Sequence, residues 1–119
     1  MNGTADKLAQ ICSIAHDYSR RAGGRSLRDL LASAQYSKLR PAITKAMIAQ
    51  HLASHPGVVE QWKTYSSDKR TRGGWYLTGS ADSWEVGRCD GGGTSLYGSG
   101  EEACSEFILK ELDFWTDLS

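Results

Sequence analysis

The chain has 119 residues, 39% of them hydrophobic and 24% charged, with 14 Lys and Arg against 14 Asp and Glu. That length holds one ordinary core and not two, and the apolar share excludes an extended disordered protein. A mean hydropathy of −0.46 and the lack of an apolar run of about 18 residues speak against a membrane-embedded protein. The opening MNGTADKLAQICSIAHDY has acidic residues and no basic flank before an apolar stretch, which is not the pattern of a secretion signal. Cysteines at positions 12, 89 and 104 are an odd, widely spaced set that suggests no disulfide framework, so a reduced, cytoplasmic protein is expected.

The zero net charge conceals an asymmetry. Residues 1–72 carry twelve Lys and Arg and five Asp and Glu, a net +7, whereas residues 73–119 carry two and nine, a net −7. Such a sequence dipole points either to charged partners or to two halves that neutralise one another in the fold.

Apolar spacings of three and four residues dominate the first half. Leu8, Ile11, Cys12, Ala15 and Tyr18 form one stripe, closed by Gly23-Gly24. A second helix starts at Ser26, with Asp29 as its capping-box partner and Leu27, Leu30, Leu31 and Ala34 facing inward. Pro41 suits a first helical position, and Ile43, Met47, Ile48 and Leu52 continue the period. A shorter helix follows Pro56 through Val58, Val59, Trp62 and Tyr65.

After the polar, Gly-ended stretch 66–74 the period changes. The runs 75–78, 83–88 and 94–97 are short, aromatic and β-type, separated by the turn sequences GSAD (79–82) and CDGGG (89–93). Connections this short predict an antiparallel three-stranded meander. Ser99 with Glu102 opens a last helix, whose inward stripe is Cys104, Phe107, Ile108, Leu112 and Trp115. The expected fold is a single α+β domain: helices over 1–66, then sheet and closing helix over 75–119, with that helix packed on the sheet. Alternation assigns Trp75, Leu77, Trp84, Val86 and Leu96 to the packed face, and Tyr76, Glu85 and Tyr97 to the opposite one, where two tyrosines beside a carboxylate form a candidate contact surface.

Catalytic signatures are lacking. His51 and His55 are four apart, but no Glu follows the first and Pro56 follows the second, so neither HExxH nor a dependable helical pair results. No cysteines stand two apart as zinc fingers require. The stretch DGGGTSLYGSG (90–100) fits neither the phosphate-loop nor the dinucleotide pattern, and Glu101 and Glu102 would repel an anion from the helix start. Neither a metal nor a cofactor is expected, and the chain reads as a non-enzyme. Nucleic-acid binding competes: two helices (41–53 and 56–66) and an aromatic hairpin outline a winged helix, and Lys63, Lys69, Arg70 and Arg72 stand where they could reach phosphates.

Taken together, YSSDKRTRGGWYL (65–77), WEVG (84–87) and EACSEFILKEL (102–112) resemble small bacterial immunity proteins, the inhibitors encoded beside polymorphic toxins such as those of contact-dependent growth inhibition. The resemblance covers about the last half of the chain. It implies a protein that binds one cognate toxin, 1:1, and blocks its active site or substrate access. Many such toxins are nucleases with basic substrate surfaces, for which an acidic face with aromatic anchors is the complement. The residues expected to form it are Tyr76, Asp82, Glu85, Asp90, Tyr97, Glu101, Glu102 and Glu106. Under the alternative reading, Lys63, Lys69, Arg70 and Arg72 meet nucleic acid or an acidic toxin.

Overall fold

In a computed structural model, which describes residues 3–15, 31–32, 35–68, 74–89, 91 and 93–116, the chain after Gly74 folds as the expected meander. Strands β1 (Trp75–Ser80), β2 (Ser83–Arg88) and β3 (Thr94–Tyr97) pair antiparallel in the order β1-β2-β3. Among the described residues five α-helices flank them in the α+β order: α1 (Gly3–Cys12), a single turn α2 (Tyr36–Leu39), α3 (Lys45–Ser54) and α4 (Gly57–Asp68) before the sheet, and the closing helix α5 (Gly100–Trp115) after it.

Helix α5 starts where its capping signal stands. The Ser99 Oγ accepts the Glu102 N–H at 3.2 Å, and Glu101 and Glu102 sit in the positive first turn. The helix is more deeply enclosed than one stripe requires. Besides Cys104, Phe107, Ile108 and Leu112, it buries Ala103, Ser105, Leu109 and Glu111. This follows from its place between layers: one side meets the sheet and another meets α3 and α4.

The start of α3 differs from expectation. Pro41 lies in a 3-10 turn, Arg40–Ala42, and α3 begins at Lys45 behind Thr44. The Thr44 Oγ1 accepts the Met47 N–H at 3.2 Å, satisfying a first-turn donor, which a proline ring cannot do. Ile43, Ile48 and Leu52 are buried as the spacing requires. The helix read from Ser26 lies outside the described residues apart from Leu31, which is buried, and Ala32, which is exposed; Tyr18 and Gly23-Gly24 also lie outside them.

Trp62, Tyr65 and Phe107 hold the centre edge-to-face, with ring centroids 5.3, 6.0 and 6.2 Å apart. Each such pair adds about 0.5–1.5 kcal/mol beyond the burial of its area. The Trp62 indole N–H also donates to the Cys12 carbonyl at 2.8 Å, so α4 closes the end of α1. Among the described residues no helix is long and apolar enough to cross a membrane.

Candidate functional site

The strand register settles which residues share a face. Leu77 pairs with Val86 and then Ser95; Gly79 pairs with Trp84 and then Tyr97. These rows, with Trp75, face the helices, and Leu77, Trp84 and Val86 are buried there. The opposite rows are Tyr76, Gly87, Thr94 and Thr78, Glu85, Leu96. The expected places of Leu96 and Tyr97 are therefore exchanged. Leu96 stands on the open face with 77% of its surface exposed, and Tyr97 packs inward, its ring 4.9 Å below the Lys45 Nζ. Adjacent apolar residues in a four-residue strand satisfy alternation either way; the pairing of Val86 with Ser95 decides between them.

The open face has an internal order of its own. Gly87 leaves room for the Tyr76 ring, whose atoms stand 2.6–2.7 Å from where a Cβ would be. Lying across that gap, the Tyr76 hydroxyl donates to the Glu85 Oε2 and is 3.3 Å from the Thr94 Oγ1. The Glu85 carboxylate beside it raises the phenol above its ordinary range, so the ring stays protonated and neutral. The result is a polar bridge spanning all three strands, flanked by exposed Leu96.

The remaining expected acidic residues come from the β1–β2 turn, the β2–β3 connection and α5. Asp82 is exposed in the β1–β2 turn, and Glu102 is exposed in the first turn of α5. Glu106, expected at the partner surface, is half-buried and shared by two lysines: Lys45 Nζ at 3.4 Å and Lys110 Nζ at 3.3 Å. Asp90, Lys69, Arg70 and Arg72 lie outside the described residues. Lys63 lays its ammonium 5.5 Å over the Trp84 ring, and the exposed positions of α4 beside it are Glu60, Thr64 and Ser67.

Two carboxylates that sequence reasoning passed over sit on α5. Glu111 is fully buried and accepts the Tyr65 hydroxyl at 2.7 Å and the Trp75 backbone N–H at 2.8 Å. Its position four residues after Phe107 was the signal, since that spacing points it inward. Asp113 accepts the Tyr36 hydroxyl at 2.7 Å and takes Arg40 bidentately, Nε at 2.8 Å and Nη2 at 3.0 Å. Burial and Asp113 push the Tyr36 phenol well above its ordinary range. A shallow recess lined by Ser37, Arg40, Pro41 and Asp113 opens beside this pair, but its charges are already matched. Arg40–Asp113 and Lys45–Glu106 join the basic and acidic halves of the chain, which accounts for part of the charge asymmetry within the fold.

The helix that carries the paired histidines ends just before Pro56, as the sequence reading expects. Helix α3 runs to Ser54 with His55 as its cap, and the two rings stack at 4.3 Å and 18°. The His55 Nδ1 is 3.0 Å from the His51 carbonyl, so the pair closes a helix end. Among the described residues no group of three or more His, Cys, Asp or Glu converges to hold a metal ion. In comparisons with known proteins, the chain matches no protein-family model, no curated protein and no solved structure.

Proposed function

We propose that this protein is a non-enzymatic, immunity-type inhibitor that binds a bacterial toxin, with the open sheet face as its contact surface. The observation that carries the reading is the isolated exposure of Leu96, at 77%, on a face whose other members are a tyrosine, a carboxylate and two threonines. Beside it Tyr76, half-buried on the sheet face, supplies the large contact area with a polar tip in which protein-binding surfaces are enriched. A nuclease toxin is the target class for which Glu85, with Asp82 at the adjoining turn, supplies charge opposite to a phosphate-binding surface. The nucleic-acid alternative draws less support: Lys63 covers Trp84, and its exposed neighbours on α4 include Glu60.

The test is co-expression with the product of the adjacent gene. The expected result is a 1:1 complex and rescue of growth when that product is toxic alone. Tyr76→Ala with Glu85→Lys should weaken binding by about 100-fold, near 2.7 kcal/mol. Wild-type affinity in that double variant would sink the open-face reading. Retention of DNA with a steep salt dependence, and of no protein, would move the function to the basic residues.

A further inference from the structure

Basic side chains in this fold rest on aromatic rings, on carboxylates, or on both. Lys63 lies over Trp84, and Arg88 and Lys110 lie over Trp75. Arg40 goes to Asp113. Lys45 combines the two modes: its Nζ is 4.9 Å from the centre of the Tyr97 ring and 3.4 Å from Glu106 Oε1. A tyrosine and a glutamate thus hold one cation between them on the helix side of the sheet. The open side carries the same two groups, Tyr76 and Glu85, yet among the described residues neither takes a cation.

The strands hold this second pair in place. The Tyr76 ring reaches over Gly87, and its hydroxyl occupies Glu85 Oε2. Among the described residues no hydrogen bond uses the other oxygen, Oε1. Leu96 is the register partner of Glu85 and sets exposed apolar surface beside the carboxylate. Glu85 itself is half-buried, so its charge is screened less than a fully exposed one. We infer that Tyr76, Glu85 and Leu96 form a receptor for one basic side chain of a partner protein, arginine in preference to lysine. The cation meets the Tyr76 ring and Glu85 Oε1, and its methylene stem lies along Leu96. Ring and carboxylate attract the same charge, and a long basic side chain needs apolar surface for its stem. Arginine is preferred because its planar guanidinium stacks on a ring and donates hydrogen bonds at once. Charge complementarity identifies the occupant: an acidic or wholly apolar segment would cover Glu85 without a counter-charge. The inference deepens the open-face reading, and rests on it for the protein that presents the side chain.

The side chain alone tests the site. N-acetyl-arginine amide, titrated into the isotope-labelled intact chain at constant ionic strength, should give saturable NMR shifts at the Glu85, Gly87 and Leu96 amides and the Tyr76 ring. The expected Kd is on the order of 10 mM. N-acetyl-lysine amide should bind about twofold more weakly, and N-acetyl-citrulline amide, the neutral isostere, should give no saturable shift at these positions. Glu85→Gln keeps an acceptor for the Tyr76 hydroxyl, so its spectrum should stay dispersed while arginine binding weakens by about fivefold or more. No saturable shift, equal binding of the citrulline and arginine amides, or an unchanged affinity in Glu85→Gln overturns the inference. So does binding seen only after Lys69, Arg70 and Arg72 are all changed to Gln, because the chain's own cations would then be the occupant. The two readings fail separately. If the toxin complex is disrupted by Tyr76→Ala with Glu85→Lys but arginine amide does not bind, the receptor falls and the open face stands. If arginine amide binds but that double variant keeps its affinity for the toxin, the open-face reading falls and the receptor stands.

Discussion

Glu111 offers the sharpest test of the packing argument. Its carboxylate is fully buried and accepts two hydrogen bonds, from the buried Tyr65 hydroxyl and from the part-buried Trp75 backbone N–H. In Glu111→Leu both bonds are lost. Hydrogen bonds to a charged acceptor contribute about 1.5–3 kcal/mol each, and stranded donors retain their desolvation cost. Leucine recovers about 1 kcal/mol by burying more apolar surface. The net loss is about 2–5 kcal/mol, against a total stability of about 6–18 kcal/mol for a chain of this size. With an unfolding entropy near 0.25 kcal/mol/K, Tm falls by about 8–20 °C. Replacing a buried polar cluster by apolar residues can be neutral when every member is replaced, but here one donor is main chain and cannot be removed. Glu111→Gln keeps an acceptor and should cost about 1–2 kcal/mol, and Tyr65→Phe about 1 kcal/mol. Urea melts of the single variants and of Glu111→Gln/Tyr65→Phe close a double-mutant cycle, with an expected coupling near 1 kcal/mol. A Glu111→Leu protein within about 1 kcal/mol of wild type would refute the claim that this carboxylate guards the β1 edge.

The β1–β2 turn places Ala81 at φ 54°, where a Cβ is strained. Ala81→Gly should therefore stabilise the fold by about 0.5–1 kcal/mol in denaturant melts, the relieved strain exceeding the extra freedom of the unfolded chain. Burial pushes the Cys12 thiol up to about 12 and holds Cys104 well above the thiol range, whereas Cys89 is only half-buried. A thiol reagent at mildly alkaline pH should modify Cys89 first in the native protein and all three cysteines after unfolding, as read by mass spectrometry. Burial, and secondarily the His55 ring, lower the His51 pKa from 6.5, so the unfolded chain takes up that proton more readily than the folded one. Stability should then fall as pH drops through 6.5, and His51→Gln should flatten that part of the pH–stability curve.

Much of the architecture was legible because its signals are local. The Ser99–Glu102 cap, the turn residues between three short runs, and the helical spacing of Val59, Trp62 and Tyr65 each act within a few residues. Where two local signals competed, the better hydrogen-bond chemistry prevailed: Thr44 and not Pro41 opens α3. The candidate surface was legible only in part. Tyr76 and Glu85 share a face because β1 and β2 alternate unambiguously around a two-residue turn. The neighbour they acquire from β3 is Leu96 and not Tyr97, because register across the longer Gly-rich connection depends on pairing and not on hydrophobicity. Glu106 shows the limit of counting charges, since its lysine partners come one from α3 and one from the next turn of α5.

By itself the sequence determined the antiparallel meander, the closing helix and the α+β class, since periodicity, caps and turn residues are properties of short segments. It also determined that basic residues crowd the first part of the chain and acidic residues the last. Only the tertiary structure decided which charges neutralise one another, which strand edge is guarded by Glu111 and Ser66, and which of two adjacent apolar residues in β3 is left in water. Those outcomes depend on contacts between residues far apart in the chain, such as Arg40 with Asp113 and Tyr65 with Glu111, and no pattern within a single segment encodes them.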